Sequence, residues 1–368
     1  MRRNEKAVHL VIPGPLDQLT GGYIYDAHIV HGLRAVGWTV TVHSLEGRFP
    51  NPDLEAQAAM ASTLAALPDD SLVVLDGLAA GGLPHPLLLH GQRLRLMGLV
   101  HHPLSHETGV PEDLRERLAA SEARGLAACR GVIVTSRFTA RQLEAMGTPS
   151  SRIRVVEPGT HGVPGPRSPA RVQENSIPRL LCVASVVPRK GHDVLLEALA
   201  LLRDHPWECH CVGSLTRNPS FAARIQRQGG ALDFPERVHF HGEVSPQELE
   251  AYYKGAHCFV LASHYEGYGM VLTEALAHGL PVVSTTGGAI PDTVPAQAAL
   301  LVPPGNPAAL AEALGRVVAP DTGPELRRRL SDAARRHGEL LPTWDAAVSS
   351  FQEALLDFGD RSSQEFDQ

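Results

Sequence analysis

Two glutamates with seven residues between them, Glu266 and Glu274, bracket the stretch of the chain most suited to chemistry: Ser263-His264-Tyr265-Glu266-Gly267-Tyr268-Gly269-Met270-Val271-Leu272-Thr273-Glu274. It reads as strand end, glycine loop and helix start. Gly267 and Gly269 let the backbone approach a ligand closely. Met270, Val271 and Leu272 open the helix, and the amides at a helix start hold an anion. A carboxylate beside a phosphate is repelled by it. Its natural partners are hydroxyls, which donate to it. A phosphate cradle flanked by two carboxylates therefore suits a sugar nucleotide, with hydroxyls on both sides and the diphosphate between. The plainer alternative is a glycine turn carrying two solvated glutamates.

Three further groups stand at strand ends. Cys182-Val183-Ala184-Ser185-Val186-Val187-Pro188-Arg189-Lys190-Gly191 puts a basic pair before a helix. Pro13-Gly14-Pro15 and Thr20-Gly21-Gly22-Tyr23 follow the first strand without making a Gly-x-Gly-x-x-Gly dinucleotide fingerprint, which counts against a dehydrogenase. Leu99-Val100-His101-His102-Pro103-Leu104-Ser105-His106-Glu107 gathers three histidines and a glutamate. That set invites a zinc reading, but a proline-containing loop does not put them on one helix face as His-x3-His does. Cys209-His210-Cys211 also invites a metal. Strand alternation puts both sulfurs on one face, yet no second Cys/His pair follows at a zinc-site spacing, so buried core cysteines are expected. No Asp-x-Asp occurs, and a metal-independent site is expected.

These residues need rigid elements behind them. Apolar runs at Val8–Ile12, Thr39–His43, Leu72–Leu75, Leu96–Val100, Val132–Thr135 and Ile153–Val156 read as strands, with amphipathic segments such as Tyr25–Val36 and Pro111–Ala128 between them. Pro158 to Pro178 has the composition of a linker. The pattern then restarts at Leu180–Ala184, Glu208–Val212, Val238–His241, Cys258–Leu261, Pro281–Ser284 and Ala299–Val302. Alternating strand and helix implies parallel sheets covered on both faces. Two α/β domains follow, over residues 1–165 and 166–343, with a helical tail over 344–368 whose end is polar. A cleft at the carboxyl ends of the strands is where such sheets bind ligands.

Length and charge agree. A chain of 368 residues exceeds one ordinary core. The net charge of -7 carries no basic stripe, so no nucleic-acid partner is expected. No apolar run is long enough to span a bilayer, and the first apolar stretch is too short for a signal-peptide core. Five cysteines, an odd number lying mostly in strand-like runs, read as reduced and buried, which with the rest places the protein in the cytoplasm. Peripheral membrane contact stays open.

The Glu266–Glu274 segment, with Gly279-Leu280-Pro281-Val282-Val283 and Gly287-Gly288-Ala289-Ile290-Pro291-Asp292 after it, resembles the Glu-x7-Glu signature of the retaining glycosyltransferases called glycosyl transferases group one, which have the GT-B fold. The resemblance implies two Rossmann-like α/β/α domains. It implies that Glu266 contacts the donor sugar and Glu274 the ribose. Ser185 to Gly191 resembles the family's Val-Gly-Arg-x4-Lys-Gly, which makes Lys190 the phosphate lysine. Ser185 stands where the family has arginine, so either Arg189 supplies that charge or the site runs with less. Gly21 and Gly22 are similar to a glycine loop facing the diphosphate, and His101 to a histidine near the donor sugar. Gly213 and His241 align with segments that hold the nucleoside through the backbone. The resemblance implies transfer from a nucleotide diphosphate sugar, commonly a UDP-sugar, without metal or other cofactor, to an acceptor that the motifs leave unnamed. A nucleotide-sugar epimerase or hydrolase of the same fold, or a non-catalytic nucleotide-sugar-binding protein, are the alternatives.

Overall fold

The computed structural model describes residues 6–106, 111–161 and 177–360. The expected domain junction at 165/166, Glu107 and the polar end of the tail lie outside them. Two compact units divide the chain: Met1–Gly159 with Pro342–Gln368, and Thr160–Leu341.

The first unit holds a parallel sheet of six strands, β1 (Ala7–Pro13), β2 (Thr39–Leu45), β3 (Leu72–Asp76), β4 (Arg95–Val100), β5 (Gly131–Val134) and β6 (Ile153–Val155), in the order β2-β1-β3-β4-β5-β6. β3 and β5 are buried along their whole length, as strands covered on both faces must be. The chain leaves β1 toward β2 on one side and returns to β3 on the other. That reversal opens a crevice past the carboxyl ends of β1 and β3, and Asp76 is the last residue of β3. The tail helix Trp344–Asp360 packs on the helix Gly21–Ala35. Its Trp344 ring stacks on His28 with centroids 3.9 Å apart, and Val348 occupies the space that a side chain at Gly32 would fill.

The second unit repeats the architecture. β7 (Arg179–Val183), β8 (Glu208–Val212), β9 (Val238–Gly242), β10 (Cys258–Leu261), β11 (Val282–Thr285) and β12 (Ala299–Val302) lie in the order β12-β11-β10-β7-β8-β9, all parallel. Here the reversal falls between β7 and β10. The segments leaving those two strands are Ala184–Gly191 and Ala262–Gly269, the two motifs singled out by residue type. Each of the twelve strands expected from the apolar runs is present among the described residues, to within a residue or two at its ends.

Local chemistry sets the helix that carries Glu274. Gly269 precedes it at φ 93°, a left-handed conformation that a side chain resists, and Met270–Ala277 is made of good helix formers. Gly279, at φ 67°, ends it: the Leu280 amide reaches back to the Ala275 carbonyl at 2.9 Å, the geometry of a glycine-terminated helix. Leu280-Pro281 then leads straight into β11.

Candidate active site

In the second unit the two strand-end loops are locked together by backbone. The His264 amide donates to the Arg189 carbonyl at 2.8 Å. Gly191, at φ 65°, passes so close to β10 that an added Cβ would lie 2.1 Å from the Ala262 carbonyl oxygen. Gly288, at φ 63°, would meet the Glu266 carbonyl oxygen at 2.2 Å, and the Ala289 amide donates to that oxygen at 2.8 Å. These contacts explain the glycines and fix the Glu266 backbone from both sides.

The Glu266 side chain is buried, 4% exposed, and fully engaged. Lys190 Nζ donates to its Oε1 at 2.6 Å and Ser263 Oγ donates to the same oxygen at 2.6 Å. Arg189 reaches Oε2 at 3.5 Å and donates to the Tyr265 carbonyl at 2.8 Å. Burial alone would raise the Glu266 pKa. The charges of Lys190 and Arg189 and the Ser263 hydroxyl outweigh it and hold the carboxyl at about 2. Burial lowers the Lys190 pKa; Glu266 opposes that shift and Arg189 adds to it. Arg189 thus turns toward the loop, with its side chain 23% exposed, instead of pointing to solvent.

Glu274 stands just over one turn into its helix. Tyr253 Oη donates to its Oε2 at 2.7 Å. Burial raises the Glu274 pKa and the tyrosine hydroxyl tempers the rise. The Tyr253 ring stacks on His278, centroids 4.6 Å apart; His278 Nδ1 donates to the Glu274 carbonyl at 2.8 Å, and its Nε2 is 2.7 Å from Glu250 Oε2. Ser185 and Gly213 come together: a Cβ on Gly213, at φ 145°, would lie 2.2 Å from the Ala184 carbonyl oxygen and 2.9 Å from the Ser185 amide nitrogen. The exposed His241 ring belongs to another group, bonded to His210 at 3.0 Å and lying against Tyr252.

The first unit presents a second cluster. His101 Nε2 is 3.2 Å from Asp26 Oδ1 and 3.7 Å from Asp76 Oδ2. Both aspartates are buried, at 1% and 5% exposure. Burial works against a charged His101, but Asp26 and then Asp76 outweigh it and its pKa rises. Burial raises Asp76 to about 7, against the pull of His101. Gly21 and Gly22 are the first turn of the helix Gly21–Ala35 and not a loop. Gly22 is glycine because the His101 ring lies against it: a Cβ there would sit 3.1 Å from Cδ2. Thr135 donates to the His101 carbonyl at 3.3 Å, whereas Ser136 caps the next helix by accepting from the Thr139 amide.

Residue types missed Asp26, Asp76, Ser263 and Tyr253. Two of them carry a signal. Asp76 is a charged residue ending a wholly apolar strand, and Asp26 is a charge on the buried face that Tyr25, Ile29, Val30 and Leu33 form. Tyr253 carries none, because its hydroxyl reaches Glu274 across 21 residues of sequence.

A family profile described as Glycosyl transferases group 1 matches residues 169–337, and one described as Glycosyltransferase Family 4 matches residues 8–161. An MMP α-(1→4)-mannosyltransferase from Mycolicibacterium hassiacum is 31% identical over 324 residues, covering 82% of this chain and 74% of that protein. A D-inositol 3-phosphate glycosyltransferase from Streptomyces griseus is 33% identical over 178 residues, 46% of this chain. The chain spans 37% of the length of that relative and 45% of its Streptomyces coelicolor counterpart. Among solved structures, a sucrose-phosphate synthase from Thermosynechococcus elongatus superposes with a TM-score of 0.79 at 24% identity, covering 96% of this chain and 98% of that one. HepE from Anabaena, solved in complex with UDP and glucose, superposes with a TM-score of 0.73 at 17% identity, covering 96% of this chain and 100% of that one. The last two likenesses establish the GT-B fold.

Proposed function

Because the chain belongs to the group 1 glycosyltransferases, we propose that it transfers a sugar from a nucleotide diphosphate sugar to an acceptor, with retention at the anomeric carbon and without a metal ion. One observation carries this reading most: a buried, ionised Glu266 clamped by Lys190 at the point where the second sheet reverses, with Glu274 just over one turn along the helix that starts between them.

Glu266 suits hydroxyl recognition. Its Oε1 accepts from Lys190 and Ser263, and its low pKa makes it a poor base and a poor nucleophile. Glycosidase chemistry needs one carboxyl with a raised pKa beside a second at the same bond; burial raises Glu274, but in this reading Glu274 meets the ribose and not the reacting bond. The proton of the acceptor is therefore assigned to the departing diphosphate, on the same face as the attack. Lys190 supplies the positive charge that the diphosphate requires as it leaves. Arg189, turned inward beside Lys190, takes part of the role that an arginine at position 185 would have. Glu274, held by Tyr253, takes the ribose hydroxyls. His101, set by Asp26 and Asp76 within the first unit, takes the role of the family's histidine near the donor sugar.

UDP is the first base to test, since HepE was solved with UDP. The named relatives direct the acceptor panel to phosphorylated polyols and mannosides. The full chain should move label from a radiolabelled nucleotide sugar to one of these acceptors with the α configuration kept. EDTA should leave the rate unchanged. A β-linked product would overturn retention; activity lost to EDTA and restored by magnesium or manganese would overturn metal independence.

A narrower expectation concerns Tyr253. Glu274 touches ribose, which does not change during the reaction, so its contacts should serve ground and transition states alike. Tyr253→Phe should raise the donor KM roughly tenfold, the worth of one hydrogen bond to a charged group, with little change in kcat. Steady-state kinetics showing kcat lowered at unchanged KM would remove the ribose assignment.

A further inference from the structure

The core beneath Lys190 holds a group that the transfer reaction does not use. Cys182 on β7 and Cys211 on β8 are register partners, so their side chains share one face of the sheet. His192 is the first residue of the helix His192–Ala200 that packs there. The two sulfurs and a histidine nitrogen lie within 4.8 Å of one another, and Cys182 Sγ is 3.8 Å from His192 Nε2. Cys209, two residues back on β8, lies on the same face of the strand and is buried as well. Cys-His-Cys read alone argued for ordinary core cysteines because no second pair followed in sequence. The fold supplies that pair from another strand and a helix start.

Core packing does not account for His192. It is 1% exposed, its Nδ1 has no hydrogen-bond partner, and its Nε2 faces sulfur, a weak acceptor. An imidazole held so is poorly satisfied as a hydrogen-bonding group and well placed as a metal ligand. Zinc binds thiolate sulfur at about 2.3 Å and imidazole nitrogen at about 2.0 Å. Their sum exceeds the 3.8 Å separation, so one ion reaches both atoms with the side chains where they stand.

We propose that Cys182, Cys211 and His192 bind a zinc ion, as two thiolates and one imidazole. The two thiols of Cys182 and Cys211 give up their protons to solvent as the ion binds. Two thiolates, a neutral imidazole and a divalent cation sum to zero charge, the form that a buried site tolerates. The ion enters during folding, before the helix closes over the strands. Its place gives it a purpose: it ties β7, β8 and the helix start together one residue beyond Gly191, and so fixes the turn that presents Lys190.

The test uses the full chain refolded with zinc or cobalt and freed of excess metal. About one equivalent of metal should remain per chain, and the cobalt form should show thiolate-to-cobalt charge-transfer absorption in the near ultraviolet. Cys182→Ser and Cys211→Ser should lose the metal and the band; Cys258→Ser, a buried cysteine outside the group, should keep both. If the first two variants do not fold, the cobalt spectrum of the native chain still decides. Five titratable thiols in denaturant with no retained metal would overturn the site in favour of plain core cysteines. Two fewer thiols with no metal would overturn it in favour of a Cys182–Cys211 disulfide. A buried thiolate-bound zinc is not replaced by magnesium, so the EDTA test of the transfer reaction is read independently of this one.

Discussion

Replacing Lys190 with alanine is expected to lower kcat by about 10²–10³, the usual loss when one preorganised electrostatic contact to a departing group is removed. Arg189→Ala should cost less. Lys190 Nζ sits 2.6 Å from Glu266 Oε1, while Arg189 approaches the other oxygen at 3.5 Å and spends its best hydrogen bond on the Tyr265 carbonyl. The substitution also strips Glu266 of its nearest cation. Removing one partner from a buried pair can cost about 3–5 kcal/mol, here tempered by the remaining Arg189. Thermal unfolding measured beside the kinetics separates the two effects: a large fall in kcat with modest destabilisation assigns Lys190 to the reaction. If Arg189→Ala proves the more damaging, the arginine has taken over the charge that Ser185 lacks. If Ser185→Arg raises the rate, the native site is short of positive charge. The pH dependence gives a further check. The Glu266 pKa is depressed from the usual carboxylate value to about 2, so the stability of its ion pair is complete above the unfolded-chain value and lost only as pH falls toward 2. An acid limb of activity near pH 5 would therefore belong to another group.

The strands and the second-unit site were legible because both rest on local information. Apolar runs of four or five residues are the signature of sheets covered on both faces, and each run became a strand. Gly191, Gly269 and Gly288 stand at positive φ in the strand-end loops, where residue type alone points to a backbone need. What was not legible is what depends on register between distant segments. Asp26 and Asp76 meet at His101 only because β1, β3 and β4 are neighbours in the sheet. Cys182 faces Cys211 only through the pairing of β7 with β8. Gly21 and Gly22 resemble a glycine loop in sequence but are helix residues in the fold, and the close approach of the His101 ring at Gly22 rests on a contact between distant segments. His241 was assigned by alignment with a backbone-reading segment, and its side chain is occupied with His210 and Tyr252.

Glu122→Gln is expected to stabilise the protein at alkaline pH by as much as a few kcal/mol while leaving it nearly unchanged near pH 4. Glu122 lies in the helix Glu112–Ala127 with no exposed surface. Its Oε2 accepts from the Leu104 amide at 3.0 Å, and its Oε1 has no partner. Burial pushes the carboxyl up to about 8, and the Leu104 amide pulls it partly back. The sign follows from proton counting. Between the ordinary glutamate value of 4.5 and about 8 the folded protein holds a proton that the unfolded chain has released, so stability falls as pH rises through that window and levels off above it. Each pH unit of the interval is worth about 1.4 kcal/mol at most. Glutamine keeps an oxygen for the Leu104 amide, fits the space against Gly81 that Glu122 fills, and does not titrate. Urea unfolding at pH 5, 7 and 9 should show the variant pulling ahead of the native chain as pH rises. An equal gap at all three would mean that Glu122 is ionised in the fold. The consequence reaches the candidate site, because Leu104 belongs to the short turn that follows His101 and His102. A protonated Glu122 holds that turn by one neutral hydrogen bond; above pH 8 the same carboxyl becomes a buried charge that favours opening it. Loss of activity in the native enzyme above pH 8, absent in Glu122→Gln, is the functional form of the same titration.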